Sequence, residues 1–135
     1  MSARRPIVPA LLALLLLACS DGEMPGPWAV CTEEFRSWVV TVVDDALTPV
    51  AGLEVDVARA STGEPLPYGE PMLQPGSYRI MDDGMSDELE IDGETILVEG
   101  AGQGISFEAE YVFGTDAQRC HVEKVSGPDT VVVGG

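Results

Sequence analysis

The sequence predicts an all-β fold. From Phe35 onward, apolar and polar residues alternate in short runs separated by Gly, Pro and Asp. No stretch of that region sustains an apolar period of 3.6, so an alternation of two is the pattern left to bury a core.

The elements follow in order. Phe35 to Val43 is β-branched and aromatic and reads as the first strand. Asp44 to Gly52 supplies a turn through Asp44-Asp45, Pro49 and Gly52. In Leu53-Glu54-Val55-Asp56-Val57 the alternation is strict. It turns Leu53, Val55 and Val57 inward and leaves Glu54 and Asp56 in water. Ser61 to Pro75 holds Pro65, Pro67, Pro71 and Pro75, each without an amide hydrogen, so it accommodates at most a short edge strand over Tyr68 to Leu73. Ser77 to Met81 resumes strand character, and Asp82-Asp83-Gly84 is a turn signal. Leu89 and Ile91 then alternate with Glu88, Glu90 and Asp92, and after Gly93 the run Thr95 to Val98 continues the sheet. Gly100-Ala101-Gly102-Gln103-Gly104 is a loop. The longest strand sets Ile105, Phe107, Ala109, Tyr111 and Phe113 on one face and Ser106, Glu108 and Glu110 on the other. Near the end Cys120, Val122 and Lys124 share one side, which puts His121 with Glu123 and Val125 on the solvent side. Thr130 to Val133 is the last extended piece.

Ahead of this region Arg4 and Arg5 precede an apolar run from Ala10 to Ala18, followed at once by Ser20-Asp21-Gly22-Glu23. A membrane-spanning helix needs about 20 apolar residues, so residues 1–18 read as an export signal peptide rather than as a span. Leu16-Leu17-Ala18-Cys19 is similar to the bacterial lipobox. That resemblance implies that Cys19 carries palmitate-type acyl chains and becomes the N-terminus. Cleavage by the ordinary secretory enzyme would leave Cys19 a thiol, but no Ala-x-Ala site is present. Each buried lipid methylene contributes about 0.8 kcal/mol, so two or three chains would anchor the protein firmly. Ser20 is compatible with sorting to the outer membrane. Residues 19–30, polar and broken by Gly and Pro, read as a flexible tether, and 31–135 as one domain.

Loss of Arg4 and Arg5 leaves 5 of the 7 basic side chains against 23 acidic ones and moves the net charge from −16 to −18. Nucleic acid is thereby excluded as an expected partner. With Cys19 acylated, Cys31 and Cys120 remain, and in an oxidising envelope compartment such a pair forms a disulfide.

Catalytic chemistry finds little support. His121-Val122-Glu123 matches half of the zinc deaminase signature, but the Pro-Cys-x-x-Cys half is absent and His121 is the one histidine of the chain. No Gly-x-Ser-x-Gly elbow accompanies it. The glycine-rich loop at Gly100 lacks the spacing and the following helix of a phosphate cradle. The acidic run Asp82, Asp83, Asp87, Glu88, Glu90, Asp92 and Glu94 is the feature best suited to an ion. Ca²⁺ takes six to eight oxygens, and Asp82, Asp83 and Asp87 crowd one turn as a candidate calcium site. The alternative is a solvated acidic face that protects an edge. Trp28 and Tyr68 form the exposed aromatic pair on which a sugar could stack.

The segment Val40-Thr41-Val42-Val43-Asp44 with Pro49-Val50-Ala51-Gly52-Leu53-Glu54-Val55-Asp56-Val57, and then Gly76-Ser77-Tyr78-Arg79-Ile80, resembles the carboxypeptidase regulatory-like domains. The likeness runs from Phe35 to the C-terminus. It implies a single transthyretin (prealbumin)-like Greek-key β-sandwich of about seven strands and a module without catalytic activity. Cys120-His121-Val122-Glu123 is similar to the final strand of bacterial lipoproteins of this kind. The expected function is therefore a lipid-anchored interaction or structural module of the cell envelope, its partner an envelope protein. The alternative is a binding module for Ca²⁺ or an envelope glycan.

Overall fold

The computed structural model describes residues 31–134; the expected signal peptide 1–18, the lipid site Cys19, the tether 19–30 and Trp28 lie outside them. The described chain is a β-sandwich of seven strands: β1 (Ser37–Asp44), β2 (Glu54–Arg59), β3 (Ser77–Asp82), β4 (Glu94–Gly102), β5 (Ile105–Thr115), β6 (Val122–Ser126) and β7 (Thr130–Val133). One sheet has the order β3-β1-β7 and the other β2-β4-β5-β6. β7 runs parallel to β1, while the other pairs are antiparallel.

The core lies between the sheets and is built by the alternation seen in the sequence. Val40, Val42, Tyr78 and Ile80 come from the three-stranded sheet, and Val55, Val57, Ile96, Val98, Tyr111, Phe113 and Val122 from the four-stranded one. Tyr111 and Phe113, two residues apart and so on the same face, stack with ring centroids 5.8 Å apart. Tyr78 is 1 % exposed, yet its hydroxyl is satisfied: it donates to the Val50 carbonyl at 3.0 Å and accepts from the Leu53 amide at 3.1 Å. That fixes the chain between β1 and β2 against β3. The turn leaving β1 is shaped by Asp44, whose carboxylate accepts from the amides of Ala46 and Thr48.

Several sequence-based expectations shift. The alternation of Leu89 and Ile91 with Glu88, Glu90 and Asp92 is not a strand. The chain instead coils through a 3-10 turn at Asp83–Met85 and further turns. The Asp82 carboxylate caps the Gly84 amide, and the Met85 carbonyl accepts from both Glu88 and Leu89 amides. Local bonds thus take the groups a ladder would need, and Leu89 is buried while Ile91 is 48 % exposed. The Gly100–Gly104 loop is shorter than expected, because Gly100 to Gly102 belong to β4 and only Gln103 and Gly104 turn. Both have positive φ, 52° and 74°, as a two-residue type I′ hairpin requires. Within the strand, position 100 takes glycine because Phe107 lies across it: a Cβ there would sit 2.1 Å from the ring. The proline-rich segment forms isolated bridges, Pro65 with Ala58 and Pro71 with Tyr78, rather than a strand.

The disulfide joins Cys31 to Cys120 with the Cα atoms 5.3 Å apart, across a sequence separation of 89. It ties the segment before β1 to the segment before β6.

Candidate functional site

Two places concentrate functional groups. The first is the outward face of β2, β4 and β5. The residues that alternate with the core there are Glu54 and Asp56 on β2, Glu99 on β4, and Glu108 and Glu110 on β5, all exposed. Register sets them side by side. Asp56 pairs with Glu99, and Glu99 pairs in turn with Glu108. Directly opposed residues on one face stand about 4.5–5.5 Å apart at Cβ, and like charges so placed destabilise a sheet. Glu54, Asp56, Glu99 and Glu108, together with Ala101, Ser106 and Phe107, line an open depression of about 660 Å³.

No salt bridge among the described residues reaches this face. The five cations of the domain are engaged elsewhere. Arg59 holds Glu64, Glu88 and Glu94; Arg79 holds Glu70 and Asp82; Arg36 faces Glu34; Lys124 pairs with Asp129 and lies over the Trp38 ring. Arg119 donates to the carbonyls of Asp87 and Leu89. Among the described residues the face is therefore a row of carboxylates with no cation against it.

The second place is the end of the sandwich beside the disulfide, where Asp83, His121 and Thr32 form a chain of hydrogen bonds. Asp83 Oδ2 lies 2.8 Å from His121 Nδ1, and His121 Nε2 lies 2.8 Å from Thr32 Oγ1. Asp83 also accepts from the amides of Arg36 at 2.8 Å and Val122 at 2.7 Å. Burial works to raise the Asp83 pKa, but the bonds from His121 and the two amides outweigh it and hold the carboxyl below its ordinary range. An ionised Asp83 accepts only, so His121 Nδ1 carries the proton it donates. In the neutral ring Nε2 is then the acceptor, and the Thr32 hydroxyl donates to it. Exposure is graded along the chain: Thr32 is exposed, while the His121 and Asp83 side chains are 9 % and 6 % accessible.

These positions revise the sequence-based sites. His121 was expected in solvent beside Glu123; it is buried, because the strand alternation begins only at Val122 and Asp83 draws the preceding residue inward. Asp82, Asp83 and Asp87 are not brought together as a ligand set. Asp82 accepts from the Tyr68 hydroxyl at 2.7 Å and from the Gly84 amide, Asp83 faces His121, and Asp87 is exposed. Among the described residues no group of three His, Cys, Asp or Glu side chains is placed to hold a metal ion. Tyr68 is not an open stacking platform: it packs against the core, and burial first and its bond to Asp82 second raise its pKa well above the usual phenol value. The acidic row was half legible in sequence, since Glu54, Asp56 and Glu108 read as outward, but no local signal placed Glu99 between them. The link of Thr32 to His121 spans 89 residues, and its one sequence trace is that each follows a cysteine of the disulfide. Comparison with protein-family models, with curated proteins and with solved structures finds no match to this chain.

Proposed function

We propose that this chain is a lipid-anchored interaction module of the bacterial cell envelope, and that it binds a cationic protein partner through the outward face of β2, β4 and β5. The observation that carries the reading is the row Asp56, Glu99 and Glu108, flanked by Glu54 and Glu110, with no cation against it among the described residues. Placing like charges side by side works against the sheet, so a fold that keeps them gains nothing from them in isolation. A partner bearing Lys or Arg would relieve the repulsion, and the field of so acidic a surface speeds its encounter. The export signal, the lipobox-like Leu16-Leu17-Ala18-Cys19 and the disulfide support the envelope location, since disulfides persist in oxidising compartments.

Two experiments test this. Cells fed a clickable palmitate analogue should label the wild type and not Cys19→Ala; equal labelling would remove the lipid anchor. For the surface, an oligo-lysine peptide titrated onto the purified protein should bind with an affinity that falls steeply with salt. Neutralising Asp56, Glu99 and Glu108 together should abolish that binding and also the protein cross-links formed by the tethered protein in intact cells. Cross-links to the same protein partner that survive the triple change would refute the assignment of this face.

A further inference from the structure

We infer that Thr32 is a covalent modification site, a hydroxyl prepared by His121 to take up an acyl or phosphonyl group from a neutral, activated donor. The inference does not rest on partner docking; it rests on the bonded order Thr32, His121, Asp83 and on its graded exposure. A threonine hydroxyl is a weak nucleophile until a base takes its proton as it attacks. His121 Nε2, 2.8 Å from Thr32 Oγ1, is within reach of that proton. Asp83 acts through His121 as a positioning residue. It holds the Nδ1–H tautomer and stabilises the imidazolium that forms, and it is itself fixed by the Arg36 and Val122 amides. The order of burial suits such chemistry, since the group that must meet a reagent is open and the groups that must keep their geometry are enclosed.

The step balances within these groups. Thr32 Oγ attacks the acyl carbon while its proton passes to His121 Nε2. The bond between carbon and leaving oxygen then breaks, and the proton returns from Nε2 to the departing alkoxide or phenoxide. The products are an ester on Thr32 and one alcohol. With a phosphonyl fluoride the same attack falls on phosphorus, the P–F bond breaks, the proton leaves with fluoride, and the products are a phosphonate ester on Thr32 and hydrogen fluoride. Preformed donors for the developing oxyanion are usually the largest source of rate, and Thr32 sits in an irregular segment before β1 rather than at a helix start. The expected chemistry is accordingly a single modification by donors with good leaving groups, not turnover. Glu33 and Glu34, next in the chain and exposed, disfavour anionic donors.

The test treats the full disulfide-bonded protein with a fluorophosphonate probe and with p-nitrophenyl acetate, and maps adducts by peptide mass spectrometry. One equivalent of adduct on Thr32 is expected, with a burst of one equivalent of p-nitrophenol. Thr32→Ser should retain it and Thr32→Val abolish it; both replace an exposed side chain and leave the core intact. His121→Gln should slow modification by about 100-fold or more, the scale of a lost general base. Nitrogen NMR of the imidazole should show the Nδ1–H tautomer in the wild type, and a folded Asp83→Asn protein should be modified at Thr32 more slowly, a change in rate that a merely structural contact would not produce. Absence of a Thr32 adduct under excess probe, equal adduct in Thr32→Val, or an unchanged rate in a folded His121→Gln protein would overturn the inference.

Discussion

Replacing Asp83 by alanine should cost this small domain a large part of its stability. The carboxylate accepts from the Arg36 amide, the Val122 amide and His121 Nδ1, all within 2.8 Å, and its side chain is 6 % accessible. Alanine leaves three donors without an acceptor. Arg36 is half-buried and its amide can turn to water, but Val122 is 0 % exposed and His121 7 %, so theirs are stranded. A buried donor left unmet costs about 1–3 kcal/mol, which puts the loss for two of them near 4 kcal/mol. For a domain of about 100 residues, 4 kcal/mol corresponds to a melting temperature lower by roughly 15–30 °C. The assay is thermal and urea unfolding with the disulfide intact, with Asp87→Ala as a control, since that exposed carboxylate should change stability by less than about 0.5 kcal/mol. The pH dependence supplies a second reading of the same group. Its folded pKa lies below the ordinary 3.8, so its stabilisation is complete above that value and is lost as pH falls through the folded one. The gap between wild type and Asp83→Ala should therefore be widest near neutrality and narrow below about pH 4. If Asp83→Ala unfolds no earlier than Asp87→Ala, the bonding assigned to Asp83 is wrong.

Three further outcomes are expected. Gly69→Ala should destabilise the protein severely, because φ is +108° and an added Cβ would stand 1.9 Å from the Val55 carbonyl oxygen, a backbone atom that cannot step aside; a melting point within a few degrees of wild type would contradict this. Glu99→Lys should leave the melting temperature unchanged or raise it at low salt, with the gain fading in high salt, since it places a cation between Asp56 and Glu108; a clear loss would mean that Glu99 supports the sheet in a way its exposure does not show. Reduction of Cys31–Cys120 should lower stability by about 4–5 kcal/mol on the chain-entropy model for a loop of this length, measured by urea unfolding with and without reductant; coincident transitions would show that the bond constrains nothing.

The fold was legible because strand alternation is a local signal. Glu54 and Asp56 outward with Val55 and Val57 inward, and Tyr111 with Phe113 in the core, follow from a period of two that any six residues display. The same local logic misled at Leu89 and Ile91, where side-chain and turn bonds took up the backbone groups that the pattern promised to a ladder. It also misplaced His121, one residue ahead of the strand whose phase was extended through it.

By itself the sequence determined that the domain is all-β, where most strands lie and which faces meet water, and it pointed to Cys31 and Cys120 as a pair on the expectation that Cys19 carries lipid, a pairing the structure shows. Only the tertiary structure decided which residues become neighbours. Asp56, Glu99 and Glu108 form one row because pairing register brings β2, more than 30 residues earlier, alongside the β4–β5 hairpin. Asp83 meets His121, and His121 meets Thr32, because the disulfide and the sandwich close over separations of 38 and 89 residues. Burial pattern is set within a strand by the direction of successive side chains, whereas charge rows and hydrogen-bond relays depend on contacts between strands, whose register a short local pattern does not encode.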